Sequence, residues 1–326
     1  MERYIADTAS EQARRGWQVT VVGGAPDRMR SELAAGVQVR PARTTTDVVR
    51  QLRGISGADV LHGHMTAAEL PAVLFKKRLG SRLVVTRHFA KRRGSSVLGR
   101  CAAPLIRARI DQQISISEFV AASIGEPSLV ILNGTARRSL TRGSERTDSV
   151  LVMQRLETEK DTATAVRAFA RSHLPELGWQ LDVCGRGSEE GDLRHLVSSL
   201  EIGQSVRFHG FVNDVYERLS RASLFLATAP AEPFGLAVVE AMAVGTPVIA
   251  TSSGAHPETL GEAGAFFPPG DVDAAAEQLT GLGTDVARRQ TLGAQLRKRQ
   301  RAMLSIEHHV DQLDAVYAGR SKATAT

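Results

Sequence analysis

Short apolar runs rich in β-branched residues alternate with longer amphipathic stretches along nearly the whole chain. In the first half the runs are WQVTVVGG, VQVRP, ADVLHG, SRLVVTRH, DQQISIS and SLVIL; in the second they are SVLVMQRL, WQLDVCG, SVRFHG, ASLFLATA and TPVIATS. Helical patterns lie between them, such as TTDVVRQLRGI, AAELPAVLFKKRL, DTATAVRAFARSHL, EEGDLRHLVSSLE, AVVEAMA and DAAAEQLTGL. Alternation of this kind is typical of parallel sheets covered by helices. The pattern therefore predicts an α/β fold.

A polar segment, NGTARRSLTRGSERTDS, separates the two halves and has no apolar periodicity, so we interpret it as an interdomain linker. We expect two Rossmann-like, doubly wound domains at 1–140 and 149–303, joined by a linker at 141–148. The end of the chain, from about Thr291 to Ala318, has a helical pattern. We expect a C-terminal helix within 304–326 that could cross back to the N-terminal domain.

The chain opens on a helical pattern that leads into the strand WQVTVV. A doubly wound domain ordinarily starts with a strand. We therefore expect the N-terminal domain to lack its first strand and the loop that follows it, which would leave one central or edge position of the sheet unfilled.

Composition adds a charge asymmetry. The 326 residues carry a net charge of +6, but residues 1–142 hold 23 Lys and Arg against 11 Asp and Glu, whereas residues 143–326 hold 18 against 24. The basic excess is densest over 18 positions that contain Lys76, Lys77, Arg78, Arg82, Arg87, Lys91, Arg92 and Arg93. Such a segment is either a solvated face without a partner or one that attracts an anionic substrate or membrane surface. Only 5% of residues are aromatic, and Phe89 is the single Phe, Tyr or Trp among these cations, so nucleic acid is not an expected partner.

The cysteine content and the lack of a recognisable signal or membrane-spanning segment indicate the cellular compartment. Two cysteines, Cys101 and Cys184, cannot build a disulfide framework, which favours a reducing environment. The first residues show no secretory signal, and the most apolar region, 222–250, is interrupted by Glu232 and Glu240. We expect a cytoplasmic protein. Because the first half of the chain is basic, we also expect it to associate peripherally with the inner face of the membrane.

The segment Ala229–Glu258 carries the most informative chemistry. A strand runs into a loop with Pro and Gly, and a helix begins near Gly235. The first amides of a helix have no intrahelical partner, so Phe234, Gly235 and Leu236 could present N–H groups to an anion or to hydroxyls. Glu232 precedes this helix and Glu240 lies inside it. Two carboxylates so placed suit a polyol such as a sugar or a ribose.

The spacing Glu232-Pro-Phe-Gly-Leu-x-x-x-Glu240 resembles the Glu-x7-Glu motif of the retaining nucleotide-sugar glycosyltransferases of family 4, which have the GT-B fold. VMQRLETEKD resembles the family's Gly-Arg-Leu-x-x-x-Lys-Gly segment, with Arg155 and Lys160 at matching positions and Gln154 and Asp161 in place of its glycines. Further matching pieces, spread over essentially the whole chain, are at His64, His88, Ser117, Glu118, Asn133, Gly134, Gly185, Gly187, Gly210 and Glu258.

The resemblance implies residue roles. Arg155 and Lys160 would bind the diphosphate of the donor and neutralise charge on the leaving group. Glu240 would hold the ribose, and Glu232 with the amides near Phe234, Gly235 and Leu236 would orient the sugar. The other implied donor-binding residues are Gly185, Gly187, Gly210, Phe211 and Val212. His88, at the carboxyl end of its strand, would donate a hydrogen bond near the reacting centre in its neutral form.

His62 and His64 are weaker candidates. They point to one side of a strand, but no third ligand is identifiable, so we predict neither a metal nor another cofactor. The expected partners are a nucleotide sugar as co-substrate, a glycan or lipid-linked acceptor and an anionic membrane surface.

The family property is retention of anomeric configuration by a front-face, metal-independent reaction. The prediction is thus a hexosyltransferase for polysaccharide or glycolipid synthesis. The alternative is a noncatalytic or amino-terminally truncated sugar-nucleotide-binding GT-B protein. A GT-B epimerase or phosphorylase fits less well, and a dinucleotide oxidoreductase less still, because VVGGAPD has the wrong glycine spacing.

Overall fold

The structure, a computed structural model, describes residues 1–25, 29, 32–93, 103–136 and 146–320. The first half contains, in chain order, α1 (Glu2–Arg14), β1 (Thr20–Val22), β2 (Gln38–Arg40), α2 (Thr45–Arg53), β3 (Val60–Gly63), α3 (Thr66–Leu79), β4 (Arg82–Arg87), β5 (Gln112–Ser115), α4 (Glu118–Ile124) and β6 (Leu129–Val130). The predicted apolar runs in this half all contain a strand.

The second half continues with β7 (Thr147–Met153), α5 (Thr162–Arg171), β8 (Gln180–Cys184), α6 (Glu190–Ser199), β9 (Val206–Gly210), α7 (Val215–Arg221), β10 (Ala222–Ala227), α8 (Leu236–Ala243), β11 (Val248–Thr251), α9 (His256–Leu260), β12 (Ala265–Phe267), α10 (Val272–Thr284), α11 (Val286–Met303) and α12 (Ile306–Tyr317). Short 3₁₀ turns lie at Thr158–Lys160, Gly203–Ser205 and Gly261–Ala263. Sequence patterns did not single out β12, which has only three residues.

The chain divides into two compact units, Met1–Ala136 with Ser305–Thr326, and Arg137–Leu304. Strand β7 begins at Thr147, inside the range predicted as linker, whereas residues 141–145 of that range lie outside the described residues. The helical pattern from about Thr291 to Ala318 covers part of α11 and all of α12, and α12 lies within the range 304–326 expected for a C-terminal helix. The break comes at Leu304, because the Ser305 side chain accepts from the amide of His308 and starts α12 there.

The second unit is built on one parallel sheet with strand order β12-β11-β10-β7-β8-β9. Its central strands are apolar without alternation: Val150, Leu151, Val152, Leu224, Phe225, Leu226, Val248, Ile249 and Ala250 are all at most 2% exposed. Such runs are expected when helices cover both faces of a parallel sheet. Strands β8 and β9 are added on one side of β7, whereas β10, β11 and β12 are added on its other side, so the strand order reverses between β7 and β10. Loops that follow these two strands therefore meet at the topological switch point, where ligands bind in open α/β sheets.

Within its described residues the first unit has two parallel sheets instead of one. Strands β1 and β2 form a pair, and a separate sheet has the order β3-β4-β5-β6. On one face of the larger sheet Val84 and Ile114 pack against Leu313 and Val316 of α12. On the opposite face Leu83 and Val85 pack with Ala72 of α3. Adjacent residues of β4 thus pack into hydrophobic cores on opposite faces of the sheet, because successive side chains of a strand point to opposite faces.

The loop after β6 packs closely against the start of α12. Thr135 forms a bridge with Ser305, and the amide of Ile306 donates to the Thr135 carbonyl over 3.0 Å. A Cβ added at Gly134 would lie 2.5 Å from the Ser305 carbonyl oxygen and 2.8 Å from the Cα of Ile306. The loop can therefore approach the helix only because position 134 has no side chain.

We expect Gly134→Ala to lower the free energy of unfolding by about 1–3 kcal/mol, because the backbone atoms that crowd the added methyl group cannot move aside cheaply. The measurement is urea denaturation of the purified chain. Gly57→Ala is the matched control, since a Cβ at the exposed Gly57 meets nothing within 4 Å. Equal stability of the two variants would contradict the packing described for this loop.

Candidate functional site

The segment after β7 packs directly against the loop after β8 through backbone hydrogen bonds. The Gln154 amide donates to the Cys184 carbonyl, and the Leu156 amide donates to that of Arg186. A Cβ at Gly185 would lie 1.8 Å from the Gln154 carbonyl oxygen, and one at Gly187 would lie 2.0 Å from that of Leu156. Both sequence-predicted glycines are therefore required by the packing of two loops.

The predicted cation pair lies on this segment, but its members have different surroundings. The Arg155 side chain is 67% exposed, and its Nη2 is 2.5 Å from Oε1 of Glu159. Lys160 is largely buried, and its Nζ donates to Oε2 of Glu232 over 2.5 Å. The structure thus brings Lys160 and Glu232 together, whereas Arg155 stays at the surface in an ion pair that contributes little to stability.

The two positions where the family's glycines are replaced have clear structural roles. Asp161 adopts a left-handed conformation with φ 49° and caps α5 by accepting from the Thr164 amide. Asp tolerates this conformation better than most residues. The Gln154 amide nitrogen donates to the carbonyl of Lys160 and to the hydroxyls of Thr162 and Thr228. These substitutions therefore retain the turn and tie it to the end of β10.

Glu232 lies in the loop between β10 and α8 at the same edge of the sheet. Its carbonyl accepts from the Ala255 amide over 2.9 Å, and a Cβ at Gly254 would lie 2.7 Å from the Glu232 nitrogen. Gly235, with φ 84°, is the N-cap of α8, and the Phe234 side chain is buried in the core. Residues 234–236 thus lie at the amino end of α8, where helix amides favour anions and hydroxyl oxygens.

Glu240 and the end of β9 complete the predicted donor-binding set in this unit. Glu240 is 6% exposed, and its Oε1 accepts from the hydroxyl of Tyr216 over 3.3 Å. Gly210, with φ 65°, accepts from the Gly185 amide over 2.8 Å. Phe211 is 58% exposed, and Val212 is half-buried. Sequence reasoning did not find Tyr216, whose partner is 24 positions away on another helix.

His256 is a further residue that the sequence patterns missed. The hydroxyl of Thr251 donates to the Ala229 carbonyl, so the same oxygen accepts from Nδ1–H of His256 over 2.9 Å. Burial lowers the pKa of His256 to about 4, and the Lys160 ammonium acts in the same direction while Glu232 opposes it. A neutral imidazole therefore lies near the Lys160–Glu232 pair.

His88 belongs to the first unit, where it forms part of a buried cluster of rings with Tyr4, His62, His64, His309 and Tyr317. His88 Nε2 is 3.2 Å from His64 Nδ1. Burial, reinforced by the neighbouring His64, holds the pKa of His88 well below its ordinary value. Among the described residues no group of His, Cys, Asp and Glu is arranged to hold a metal ion.

The tautomer of His309 follows from its partners. Its Nδ1 lies 2.8 Å from the Leu132 carbonyl oxygen and so must donate, which leaves Nε2 to accept from the hydroxyl of Tyr4 at 2.8 Å. Tyr4 and His309 are 305 positions apart. Only the packing of α12 against α1 brings these residues together.

The interpretation of the segment at 76–93 as one solvated basic patch is wrong for several of its members. Arg93 is buried and pairs with Glu69 and Glu126, both at 2.5 Å. Arg87 is also buried and donates to the Lys91 carbonyl. Lys76 pairs with Asp111 over 2.7 Å. Burying a charge requires a partner, so these cations hold the first unit together.

Two remaining sequence expectations concern cysteine and the membrane. Cys184 is buried, and burial raises the pKa of its thiol to about 11; Cys101 lies outside the described residues. No helix within the described parts of the chain combines the length and apolar character needed to cross a membrane.

Comparisons with known proteins match both halves of the chain. Residues 139–299 match the model of glycosyl transferases group 1, and residues 1–128 match that of a glycosyl transferase 4-like domain. The chain is 30% identical over 198 residues to exopolysaccharide phosphotransferase SCO2592 of Streptomyces coelicolor, which is 59% of this chain and 21% of that protein. It is 30% identical over 178 residues to N-acetyl-alpha-D-glucosaminyl L-malate synthase of Bacillus anthracis, 54% of this chain and 46% of that protein. The chain thus spans less than half the length of both relatives.

Solved structures support the fold class. HepE of Anabaena, crystallised with UDP and glucose, has a TM-score of 0.81 at 18% identity and covers 98% of this chain and 95% of its own. Sucrose-phosphate synthase of Thermosynechococcus elongatus has a TM-score of 0.73 at 21% identity, and the match covers 97% of this chain and 92% of that chain. These likenesses concern the fold alone, and they confirm the predicted GT-B class with two Rossmann-like domains.

The buried histidines predict a dependence of stability on pH. Burial lowers the pKa of His64 to about 4, whereas an unfolded histidine titrates near 6.5. Between these values the unfolded chain binds the proton and the folded chain does not, so acidification below about pH 6.5 destabilises the folded state. We expect His64→Phe to retain about 2 kcal/mol more stability than the parent on going from pH 7 to pH 5.

Urea denaturation at both pH values measures this difference. His173→Phe is the control for loss of a histidine at the surface, because the His173 side chain is 72% exposed. A parent whose stability did not fall between pH 7 and pH 5 would contradict the neutral assignment of the cluster.

Proposed function

The chain belongs to the glycosyl transferases of group 1, and from this membership we propose that it is a retaining glycosyltransferase that moves a hexose-type sugar from a nucleotide-diphosphate sugar to a glycan or lipid-linked acceptor. The supporting observation is the Lys160–Glu232 ion pair between the loops that follow β7 and β10. It places a cation and a carboxylate at the switch point of the second sheet, where a charged and hydroxylated ligand would bind.

The proposed donor site uses the cations for the leaving group. Lys160 exchanges Glu232 for a phosphate oxygen of the donor, and Arg155 leaves its exposed pair with Glu159 to bind the same diphosphate. A planar guanidinium and a mobile ammonium that converge on one anion stabilise the charge that develops as the nucleoside diphosphate departs. This chemistry needs no metal ion.

The carboxylates of the same unit bind hydroxyl groups. Glu232, released from Lys160, accepts from hydroxyls of the sugar, while amides at the amino end of α8 orient its other oxygens. Glu240, held by the Tyr216 hydroxyl, accepts from the ribose. Gly210, Phe211 and Val212 contact the base.

The proposed reaction occurs on one face of the sugar. The acceptor oxygen bonds to the anomeric carbon on the side from which the diphosphate leaves, so configuration is retained. The bond to the diphosphate breaks with its electron pair, and the acceptor proton passes to a phosphate oxygen of the leaving group. His88, neutral and set by its contact with His64, donates a hydrogen bond near the reacting centre without adding charge.

We also propose that the acceptor is presented at an anionic membrane surface. On α3, Leu70 and Leu74 are 46% and 64% exposed, and the exposed Lys77 follows at the next turn. The spacing i, i+4, i+7 puts these side chains on one face of the helix. An apolar and basic face of this kind favours peripheral contact with anionic lipid.

We expect Lys160→Ala to reduce turnover about 10²- to 10³-fold, because one preorganised cation at the leaving group is lost. The assay measures nucleoside diphosphate released from UDP-, GDP- and ADP-sugars in the presence of glycan and lipid-linked acceptors, with product identified by mass spectrometry. Lys298→Ala, an exposed lysine of α11, is the control. Lys160→Met retains the packing of the aliphatic side chain and should lose as much activity.

A folded Lys160→Ala chain that turns over at the parent rate would overturn the assignment of Lys160. Thermal shift with the same donors separates binding from catalysis. Binding of a nucleotide sugar to the parent without any release would favour the noncatalytic alternative.

For the membrane proposal we expect Leu74→Glu to lower co-sedimentation with phosphatidylglycerol vesicles about tenfold, since one exposed leucine no longer enters the lipid. Leu177→Glu is the matched control, because Leu177 is 57% exposed in the other unit. Binding by the parent that is indifferent to anionic lipid and to salt would contradict this part of the proposal.

A further inference from the structure

The four histidines of the ring cluster in the first unit differ in how their nitrogens are used. For His62, Nδ1 lies 2.6 Å from the Tyr317 hydroxyl and Nε2 lies 2.7 Å from the Thr86 hydroxyl. Both nitrogens of His309 are likewise used, one by a backbone carbonyl and the other by a tyrosine hydroxyl. These two rings therefore have no nitrogen left for a ligand, and their contacts hold the cluster together.

His64 and His88 use only one nitrogen each. Nδ1 of His64 lies 3.2 Å from Nε2 of His88. Among the described residues neither ring makes a second hydrogen bond. The pair therefore leaves Nε2 of His64 and Nδ1 of His88 available to a ligand.

Both histidines follow strands that end at the same edge of the larger sheet of this unit. His64 comes directly after β3, and His88 comes directly after β4. The two strands are parallel and hydrogen-bonded to each other. Ligands of open α/β sheets bind beyond the carboxyl ends of the strands. The histidine pair thus lies at the edge of the sheet where a ligand is expected.

Neighbouring rings restrict rotation of both imidazoles. The ring of His64 stacks on that of His62 with 4.1 Å between centroids and 32° between planes. The Tyr4 ring packs edge-on against His64 at 5.8 Å and against His88 at 5.2 Å. The same two nitrogens therefore keep facing each other.

The protonation of the pair allows two arrangements. Burial lowers the pKa of His64 to about 4 and holds the pKa of His88 well below its ordinary value. Near neutral pH each ring therefore carries a proton on only one nitrogen. A hydrogen bond between the rings needs a single proton between them. Either His64 donates from Nδ1 and His88 keeps its proton on Nδ1, or His88 donates from Nε2 and its Nδ1 is a lone pair.

The chemistry of the proposed substrate selects one of these arrangements, so the inference rests on the proposed function. Oxygen atoms of a diphosphate only accept hydrogen bonds, and negative charge grows on them as the bond to the sugar breaks. An N–H group of His88 would stabilise this charge, whereas a lone pair would repel it. The arrangement in which His64 donates is therefore the productive one.

We propose that His64 is a positioning residue for the reaction: its Nδ1–H donates to Nε2 of His88 and so fixes His88 as the tautomer that presents Nδ1–H to an oxygen of the bound substrate. His64 acts through His88 and need not contact the substrate. A partner that holds one nitrogen of a histidine commonly sets which form the other nitrogen presents.

The tautomers can be measured directly on the full chain labelled with ¹⁵N in its histidine rings. Long-range ¹H–¹⁵N spectra at neutral pH distinguish protonated from unprotonated ring nitrogens, and spectra of His64→Asn and His88→Asn assign the two rings. We expect both His64 and His88 to be protonated on Nδ1 and not on Nε2. A proton on Nε2 of His88 would overturn the proposal. This measurement needs no substrate and does not depend on the proposed function.

Two substitutions of similar shape separate donation from packing. His64→Asn can place an amide N–H where Nδ1–H lies, whereas His64→Asp places an acceptor there. We expect His64→Asp and His64→Leu to turn over at least about tenfold more slowly than His64→Asn. The loss should be in kcat more than in KM for the donor, because the hydrogen bond strengthens as the leaving group departs. His195→Asn, an exposed histidine of α6, is the control and should turn over like the parent.

Urea denaturation establishes that each variant is folded before its turnover is compared. His64→Asp introduces a carboxylate into the ring cluster, so if it does not fold, the comparison of His64→Asn with His64→Leu carries the test. Equal losses in these two variants would assign His64 to packing alone and overturn the proposal. Activity retained by His64→Asp and lost by His64→Asn would show that His88 is the donor, with the same consequence.

Failure of the proposed function gives a different result. In that case the parent releases no nucleoside diphosphate from any nucleotide sugar, whereas the spectra still decide the tautomers of His64 and His88. A parent that turns over while His88 carries its proton on Nε2 would leave the proposed function intact and overturn only the role given to His64.

Discussion

The close approach of two backbone segments, after β7 and after β8, is the constraint on which the second unit depends. Gly185 and Gly187 have no side chains to separate these loops, and the carbonyl oxygens of Gln154 and Leu156 occupy the space that a Cβ would need. On its other side the segment after β7 is tied to β10 through Gln154 and Thr228. Lys160 is therefore held between the ends of two strands that are neighbours in the sheet but far apart in the chain.

This arrangement explains the charge pattern around Lys160. The Lys160 ammonium and the Glu232 carboxylate are 2.5 Å apart in a partly buried position. Each therefore neutralises the charge of the other when no ligand is bound. In the proposed donor site, an incoming diphosphate would compete for the cation and release the carboxylate to accept from hydroxyl groups. The pair would then couple binding of the anionic part of a donor to binding of its sugar. Neutral His256 nearby adds a polar group without changing this balance of charge.

The first unit buries and pairs part of its charge. Arg93 lies between Glu69 and Glu126 in a buried network, and Arg87 is buried beside it. Its basic excess, counted net of the acidic residues, is therefore carried by exposed cations such as Lys77, Arg78 and Arg107. The rest of the unit depends on α12, which returns from the end of the chain to cover β4 and β5 and to meet α1.

The sequence by itself determined the strands and most helices, because burial on both faces of a parallel sheet leaves continuous apolar runs that can be seen locally. It also offered Arg155, Lys160, Glu232 and Glu240 as candidate site residues, the first two through a family resemblance and the last two through their spacing along a loop and a helix. It could not find Tyr4, Tyr216, His256 or His309, whose partners lie up to 305 positions away. It also overstated the basic patch, because whether Arg93 faces water or Glu69 depends on how α3 packs. Only the tertiary structure decided these pairings, because each depends on which distant surfaces exclude water together.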